Sequence, residues 1–165
     1  MDRVTAPRVA RGDLRSDGPE RTRAIGRAIG EHAVPGTALA LIGELGAGKT
    51  QMAKGVAEGL GVRGVVNSPT FILMNEHAGR LRLYHVDAYR LGDPEEAVAA
   101  GLLDDRQADG VAVIEWADRL AGWLPADRLE IAIETPAGQP SVRTLRWEAH
   151  GEAHERLALE AMRVP

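Results

Sequence analysis

A glycine-rich string lies between an apolar run and a helical pattern, and it restricts the possible folds more than any other part of the chain. The string is Gly43-Glu-Leu-Gly-Ala-Gly-Lys-Thr50, which matches the pattern G-x-x-x-x-G-K-[ST]. The run 37–42 before it is apolar and has the length of a buried parallel strand, and residues 50–60 after it have a helical pattern. These flanks disfavour a chance glycine-rich turn and predict an α/β domain like those of P-loop NTPases.

The residue types in this string suit the binding of a phosphate chain. Glycines allow positive φ and let the backbone approach the phosphates closely. The N–H groups of the loop and of the following helix N-terminus then form a site for anions. A lysine at this place reaches the β- and γ-phosphates, and the threonine hydroxyl can ligate magnesium. We therefore predict that all eight residues bind a purine nucleoside triphosphate, ATP in the first place, with Mg²⁺: Gly43, Glu44, Leu45, Gly46, Ala47, Gly48, Lys49 and Thr50.

The rest of the chain alternates between helix and strand patterns, with no internal repeat. Further helices are predicted from about residue 16 to the stop at Pro35-Gly36, from Asp93-Pro94 to Gly101, and over 152–162. Further strands are predicted over 71–76, 81–86, 111–114, 129–134 and 143–148. The first two and the last two of these strands have the spacing of hairpins. Together the elements predict a three-layer α/β domain of the P-loop NTPase type with a mixed, mostly parallel sheet.

Length and composition set further limits. The 165 residues fit a single domain over 1–165, since domains cluster at roughly 100–150 residues. Residues 1–15 have no clear apolar period, and we interpret them as a flexible arm. The chain has no cysteine, which excludes disulfides and thiolate metal sites. No apolar run approaches the roughly 18–20 residues of a membrane span, and the start has no secretory h-region, so we expect a soluble cytoplasmic protein.

The charge balance concerns nucleic acid as a partner. The formal net charge is -4, whereas a protein that grips nucleic acid alone usually has a basic surplus that neutralises phosphates. If this chain works near RNA, we expect a partner protein to hold the RNA.

Two carboxylates are candidates for the metal site. Glu115 follows the buried strand 111–114, and Asp87 follows the strand 81–86, so both stand where P-loop proteins place an acid near magnesium. The structural alternatives are an exposed acid at a strand end for Glu115 and a turn or capping residue for Asp87. We expect Glu115 to belong to the metal shell and Asp87 to face the γ-phosphate.

Three other polar residues have both a functional and a structural interpretation. Thr70, in the segment Ser68-Pro-Thr-Phe71, lies where many P-loop proteins have a switch that reads the γ-phosphate, but the same segment is also a proline turn that enters a strand. Arg90 suits an arginine finger or an ion pair within the fold, and the ion pair is the commoner role. His85 alternates with Asp87 along its strand, and a lone histidine there is more often packed or hydrogen-bonded than catalytic.

These motifs, in this order, resemble the TsaE family (also called YjeE), the small bacterial ATPases of threonylcarbamoyladenosine formation in tRNA. The resemblance rests on the phosphate loop 43–50, on Ser68-Pro-Thr-Phe71, on His85-Val-Asp-Ala-Tyr-Arg-Leu91 and on Ile114-Glu-Trp116. It implies a compact P-loop domain that binds ATP with Mg²⁺. It also implies that the partners are the proteins TsaD and TsaB, that tRNA is met only through their complex, and that ATP binding and hydrolysis reset the complex between rounds.

The resemblance also implies roles for individual residues. Lys49 and Thr50 would hold phosphate and magnesium, and Glu115 would join the metal shell. Asp87 would be needed for hydrolysis. The remaining implied residues would lie around the nucleotide: Thr70, Trp116 and Thr22, the last from the first helix on a looser alignment.

Three other functions share some of these features. A small-molecule kinase of the P-loop class is the main alternative, but the arginines are spread along the chain with no glycine-flanked lid segment. A switch GTPase would need a guanine-reading Asn-Lys-x-Asp string, which is absent, and no lysine follows Lys54. A pure binding module, in which hydrolysis is incidental, is barely distinguished from the leading hypothesis by the sequence.

Overall fold

A computed structural model describes residues 9–67, 74–99 and 108–163 of the chain. The strands are β1 (Val9–Ser16), β2 (Ala38–Gly43), β3 (Met74–His77), β4 (Leu83–Asp87), β5 (Val111–Glu115), β6 (Arg128–Glu134) and β7 (Arg143–His150). The helices are α1 (Pro19–His32), α2 (Lys49–Gly59), α3 (Pro94–Ala99) and α4 (Glu152–Ala161), with a short 3-10 helix at Ala117–Leu120. In this part of the chain no helix is both long and apolar enough to cross a bilayer.

The seven strands form one mixed sheet in the order β1-β7-β6-β2-β5-β4-β3. The four central strands β6, β2, β5 and β4 are parallel to one another, and antiparallel strands complete both edges. The predicted α/β class with a mixed sheet is thus confirmed. Both predicted hairpins are present as the antiparallel pairs β3–β4 and β6–β7, although residues 71–73 of the first lie outside the described residues.

The register of the parallel strands brings the predicted acids to one edge of the sheet. Leu41 of β2 pairs with Glu115 of β5, and Glu115 in turn pairs with Asp87 of β4. The loop 43–50 leaves β2 at the same edge, because the carboxyl ends of parallel strands lie together. The sheet topology therefore places the glycine loop beside both carboxylates.

Two apolar layers cover the sheet. The larger core lies under α1, α2 and α4 and includes fully buried residues such as Ile29, Leu41 and Met52. The smaller core lies on the opposite face, where Ile114 packs with Leu120 of the 3-10 helix and with the segment that follows β4. Helical segments on both faces of the sheet give the three layers predicted from the sequence.

Helices α1 and α2 pack with their backbones in close contact, because each presents two glycines one helical turn apart. A Cβ added at Gly26 would lie 2.3 Å from the carbonyl oxygen of Met52, and one at Gly30 would lie 2.2 Å from that of Val56. On the other helix, a Cβ at Gly55 would lie 2.1 Å from the carbonyl oxygen of Arg23. No side chain fits in these spaces. The close contact between the two helix backbones fixes the position of α2, whose first turn carries Lys49 and Thr50.

The expected flexible arm over 1–15 is wrong for residues 9–15. They form β1, which pairs with β7 over its whole length from Val9↔His150 to Ser16↔Arg143. The strand was missed because its inward residues are a weak apolar set: Ala10, Gly12, Leu14 and Ser16. Gly12 lies under the Trp147 ring, where a Cβ would come within 2.6 Å of ring atoms. The partner that orders the strand is more than a hundred residues away, and residues 1–8 lie outside the described ones.

The first helix also begins later than expected. Ser16 is the last residue of β1 rather than a helix start, and its hydroxyl donates to the Gly18 carbonyl oxygen at 2.8 Å. Helix α1 begins at Pro19, which suits the first helical position because the missing N–H would have no helical partner there.

A buried histidine joins α4 to the start of β2. His154 is 4% exposed, and its Nε2 accepts a hydrogen bond from the Ala38 N–H at 3.0 Å. Burial lowers the pKa of His154, the Asp127 carboxylate opposes that shift, and His150 adds to it. Protonation would remove the acceptor and bury a charge, so the folded chain favours the neutral ring.

We expect Gly55→Ala to lower the free energy of unfolding by about 1–3 kcal/mol, because the added methyl group forces α1 and α2 apart. At an unhindered helical position the same change would stabilise the chain by roughly 0.5–1 kcal/mol. Urea unfolding measures the difference. Gly92→Ala is the control, since its Cβ would meet only the movable Glu96 carboxylate, at 3.4 Å. A Gly55→Ala variant as stable as the control would contradict the proposed close packing.

Stability should also depend on pH through His154. Because the folded-state pKa is lowered, the unfolded chain takes up a proton first as the pH falls through about 6.5. The neutral His154 thus contributes its full stability above that pH. As the pH falls from about 6.5 toward the lowered pKa of the folded state, the free energy of unfolding decreases by up to about 1.4 kcal/mol per pH unit. His154→Gln keeps an acceptor for Ala38 and cannot titrate, so urea unfolding between neutral and mildly acidic pH should give a flatter slope. Equal slopes in both proteins would exclude this role.

Candidate nucleotide site at the strand ends

The glycine loop has the backbone geometry of a phosphate cradle. Gly46 and Gly48 have φ angles of 79° and 116°, which residues with a side chain rarely adopt. Helix α2 begins directly after Gly48, and its first intrahelical bond runs from the Met52 N–H to the Gly48 carbonyl oxygen at 3.0 Å. The N–H groups of the first turn have no helical partners, so an anion can accept hydrogen bonds from them.

The lysine of the loop is held by its own loop. Lys49 is 5% exposed, and its Nζ donates to the carbonyl oxygens of Gly43 at 2.5 Å and Glu44 at 2.8 Å. Burial lowers its pKa, while carboxylates including Glu115 and Asp118 oppose that shift. The carbonyl oxygens of the loop therefore hold the ammonium group beside the phosphate-binding backbone, and the acidic neighbours favour its charged form.

Glu115 is fixed between the loop helix and β4. Its side chain is 2% exposed. Oε1 accepts a hydrogen bond from the Thr50 hydroxyl at 2.9 Å, and Oε2 lies 2.5 Å from Nε2 of the fully buried His85. A hydroxyl and a carboxylate in contact beside a phosphate cradle offer two oxygen ligands of the kind that Mg²⁺ prefers.

Asp87 lies next to Glu115 at the end of β4 and is half-buried. Burial raises its pKa; the Tyr89 N–H, which donates to Oδ1 at 2.9 Å, opposes the shift, and the Glu115 charge adds to it. The neighbouring carboxylates repel each other, so this edge of the sheet favours a cation between or near them.

Aromatic rings line part of the cleft beside Lys49. The Trp116 ring centroid lies 4.0 Å from Lys49 Nζ and 4.9 Å from the Tyr89 ring centroid. Arg119 lies over both rings, 5.3 Å from Tyr89 and 5.5 Å from Trp116. Trp116 has a φ of 58°, the single positive φ outside glycine in the described ranges. Such a conformation costs of order 1–3 kcal/mol, and in other proteins it clusters at functional sites.

These groups line one open cleft of about 420 Å³. The predicted site residues that the structure brings together on its walls are Leu45, Gly46, Gly48, Lys49, Thr50, Asp87, Glu115 and Trp116. The volume falls in the range of small-molecule sites, roughly 300–1,000 Å³. The sequence motifs, which lie up to 71 positions apart, from Leu45 to Trp116, thus converge on a single cleft.

Other predicted residues lie outside this cleft. Gly43 and Glu44 contribute carbonyl oxygens that hold Lys49, and Ala47 is buried beneath the loop. Thr22 is 1% exposed and shares a hydrogen bond of 2.8 Å with Ser16, so it supports the loop from below, with its methyl group facing Gly48, rather than lining the cleft. Thr70 lies outside the described residues.

Sequence reasoning missed three contributors, Gln51, Tyr89 and Arg143, and did not identify the partner of His85. Tyr89 and Gln51 line the cleft, and His85 bonds to Glu115. Arg143, the first residue of β7, donates to the carbonyl oxygens of Ala47 at 3.0 Å and Gly46 at 3.4 Å and so braces the outside of the loop. Strand alternation placed His85 with Asp87 and predicted a packed or hydrogen-bonded ring, which the bond to Glu115 confirms. Nothing local indicates the Arg143 contact, which joins residues far apart in the chain.

The arrangement has the parts needed to bind and polarise a phosphate chain. It has backbone donors at a helix N-terminus, one buried ammonium group, and hydroxyl and carboxylate oxygens at the same strand ends. Oxygen donors beside a phosphate cradle fit Mg²⁺, which usually takes one or two carboxylates and completes its shell with phosphates and water. The residues present therefore fit a magnesium-bound triphosphate.

Comparisons with known proteins identify the family of the chain. A family model described as "Threonylcarbamoyl adenosine biosynthesis protein TsaE" matches residues 16–144. The tRNA threonylcarbamoyladenosine biosynthesis protein TsaE of Bacillus subtilis is 43% identical over 150 residues, which cover 90% of this chain and 92% of that protein. The TsaE protein of Treponema pallidum is 40% identical over 112 residues, which cover 68% and 83% of the two chains.

A solved structure matches the fold as well. The crystal structure of Bacillus subtilis YdiB superimposes with a TM-score of 0.78 at 37% identity, covering 96% of this chain and 98% of that one. The family match spans the phosphate loop, both acidic strand ends and Trp116. The resemblance predicted from the motifs is confirmed, and the chain belongs to the TsaE family of threonylcarbamoyladenosine biosynthesis proteins.

Proposed function

We propose that this protein binds and hydrolyses ATP with Mg²⁺ as an accessory factor in threonylcarbamoyladenosine modification of tRNA. Its nucleotide state would reset a complex of the proteins TsaD and TsaB between rounds of modification. The observation that carries the proposal is the 2.9 Å hydrogen bond between Thr50 and Glu115 beside the phosphate loop. It joins the last residue of the loop motif to the acid of a neighbouring strand, the pairing expected where one cation is held against a phosphate chain.

The chain's own residues divide the binding task. The N–H groups around Gly46 and Gly48 would donate hydrogen bonds to the phosphate oxygens, and Lys49 would turn from its loop carbonyls toward the β- and γ-phosphates. Magnesium, when bound by Thr50 and Glu115, neutralises charge on the phosphates and makes the terminal phosphate easier to attack. Trp116 and Tyr89 supply aromatic surface to the same cleft.

Asp87 suits a role in hydrolysis. It lines the cleft beside Glu115 but takes no part in the Thr50 contact, and one of its oxygens accepts the Tyr89 N–H. Its other oxygen is available to accept a hydrogen bond from a water molecule at the terminal phosphate. A carboxylate in that position orients the attacking water and keeps a lone pair directed at phosphorus.

The family and the charge support the proposed partners. The relatives are named for tRNA threonylcarbamoyladenosine biosynthesis, and this chain, with a net charge of -4, has no basic surplus with which to grip tRNA alone. We therefore assign contact with tRNA to the TsaD–TsaB complex in the cytoplasm. Intrinsic hydrolysis should be slow, since a positive charge supplied from a partner can raise such a rate by roughly 10³–10⁵-fold.

Lys49→Ala should abolish the effect of this protein on tRNA modification. Loss of a charged hydrogen-bond donor costs about 1.5–3 kcal/mol, so ATP affinity should fall roughly 10- to 100-fold. The assay reconstitutes threonylcarbamoyladenosine formation with TsaD, TsaB and the enzyme that supplies the activated threonylcarbamoyl group. The amount of modified tRNA is measured over many turnovers in three reactions: without this protein, with the wild type and with the variant.

The chain offers a matched control for this assay. Lys54 is the only other lysine, lies one turn further along α2 and does not line the cleft. Lys54→Ala should support modification like the wild type. The proposed function would be refuted if the wild type, Lys49→Ala and a reaction without this protein gave equal amounts of modified tRNA.

Asp87→Asn should separate binding from hydrolysis. The amide keeps the size of the side chain and an acceptor for the Tyr89 N–H, but it removes the carboxylate that we assign to the attacking water. Calorimetry should give an ATP affinity similar to that of the wild type, while phosphate release falls by about 10²-fold or more, the typical contribution of such a group. If this variant sustained repeated rounds of tRNA modification, hydrolysis would be unnecessary and the resetting mechanism would be wrong.

A further inference from the structure

His85 is a buried polar side chain to which the proposed mechanism assigns no role. It lies in the middle of β4, between Leu83 and Asp87 on the same face of the sheet, and none of its surface is exposed. An imidazole in such a place carries two polar atoms out of water, which is costly unless they are paired. A leucine or methionine would fill the same space without that cost, so packing alone does not account for a histidine.

The ring of His85 makes one short and directed bond. Nε2 lies 2.5 Å from Glu115 Oε2, whereas the buried Nδ1 has no hydrogen-bond partner in the described part of the chain. When Glu115 is ionised, as a magnesium ligand must be, its carboxylate only accepts, and Nε2 is then the donor in this bond. In that state the ring donates to Glu115, and it has no second partner within the described residues.

This bond divides the two oxygens of Glu115 between two tasks. Oε2 faces His85, and Oε1 faces the Thr50 hydroxyl at the mouth of the cleft. Thr50 is itself a proposed magnesium ligand, so its hydroxyl hydrogen bond to Oε1 must rearrange when a cation arrives. The bond to His85 lies on the far side of the carboxylate and can persist unchanged.

We propose that His85 is a positioning residue that holds Glu115 so that Oε1 is presented to the magnesium ion of the bound triphosphate. This inference rests on the proposed function. Groups that hydrogen-bond to metal ligands orient them and raise their affinity, and loss of such a group typically costs 10- to 100-fold in metal affinity. His85 thus links the interior of the sheet to the metal side of the cleft without touching nucleotide.

The test measures ATP affinity by calorimetry, once with saturating Mg²⁺ and once with excess EDTA. The ratio of the two affinities is the magnesium enhancement. His85→Leu should lower this enhancement by about 10-fold or more and leave the affinity for metal-free ATP unchanged. His85→Gln places an N–H donor at a similar reach and should retain most of the enhancement. This pattern separates positioning from packing, since leucine suits the apolar surroundings better than glutamine does.

His154→Leu is the matched control. It removes another buried histidine that bonds across the fold, at Ala38 and away from the cleft, and it should leave the magnesium enhancement as in the wild type. If His85→Leu does not fold, His85→Asn replaces it, because the asparagine amide is too short to reach Glu115; it should lose the enhancement that His85→Gln keeps.

Several results would overturn the inference. The first is a magnesium enhancement in His85→Leu equal to that of the wild type. The second is a magnesium enhancement that falls as much in His154→Leu as in His85→Leu. The third is an affinity for metal-free ATP that falls in His85→Leu as much as the affinity for magnesium-bound ATP. A wild-type protein that binds ATP equally with Mg²⁺ and with EDTA, or not at all, would instead refute the proposed magnesium–ATP site itself. Failure of the His85 role and failure of the proposed function are therefore distinguished within one experiment.

Discussion

The site depends on the parallel register of three central strands. Because Leu41 pairs with Glu115 and Glu115 pairs with Asp87, the loop that leaves β2 emerges beside two carboxylates held at one edge of the sheet. A shift of one residue in β5 would turn Glu115 to the opposite face, away from Thr50. Neither the glycine loop nor the acids could hold a cation alone, so the register makes one site from separate motifs.

Close packing of α1 on α2 supports that register from one face. The glycines at 26, 30, 55 and 59 let the two helix backbones meet, and α2 carries the first turn of the phosphate site. On the outer side of the loop, Arg143 donates to the carbonyl oxygens of Gly46 and Ala47. The cradle is thus held from below by a helix pair and from outside by a guanidinium group. Carbonyls engaged in this way leave the N–H groups of the loop free to face a ligand.

Local patterns predicted the elements that carry their own signals. The phosphate loop, the buried strands on either side of it and the hairpins were found because apolar runs, glycines and turn residues lie within a few positions of one another. Strand β1 was missed because its inward side chains are small and its order comes from β7, far along the chain. Thr22 and Arg143 were misplaced or missed for the same reason: their contacts depend on how distant segments meet. The role of Thr70, which lies outside the described residues, stays a prediction.

The central claim is that the cleft recognises a magnesium-bound nucleoside triphosphate rather than a monophosphate. Calorimetric titration of the wild-type chain with ATP and with AMP, each in saturating Mg²⁺, tests it most directly. The phosphate loop, Lys49 and the Thr50–Glu115 pair all act on the β- and γ-phosphates, and charged hydrogen bonds contribute about 1.5–3 kcal/mol each. The account therefore predicts that ATP binds at least about 100-fold more tightly than AMP. Equal affinities for the two nucleotides would contradict it.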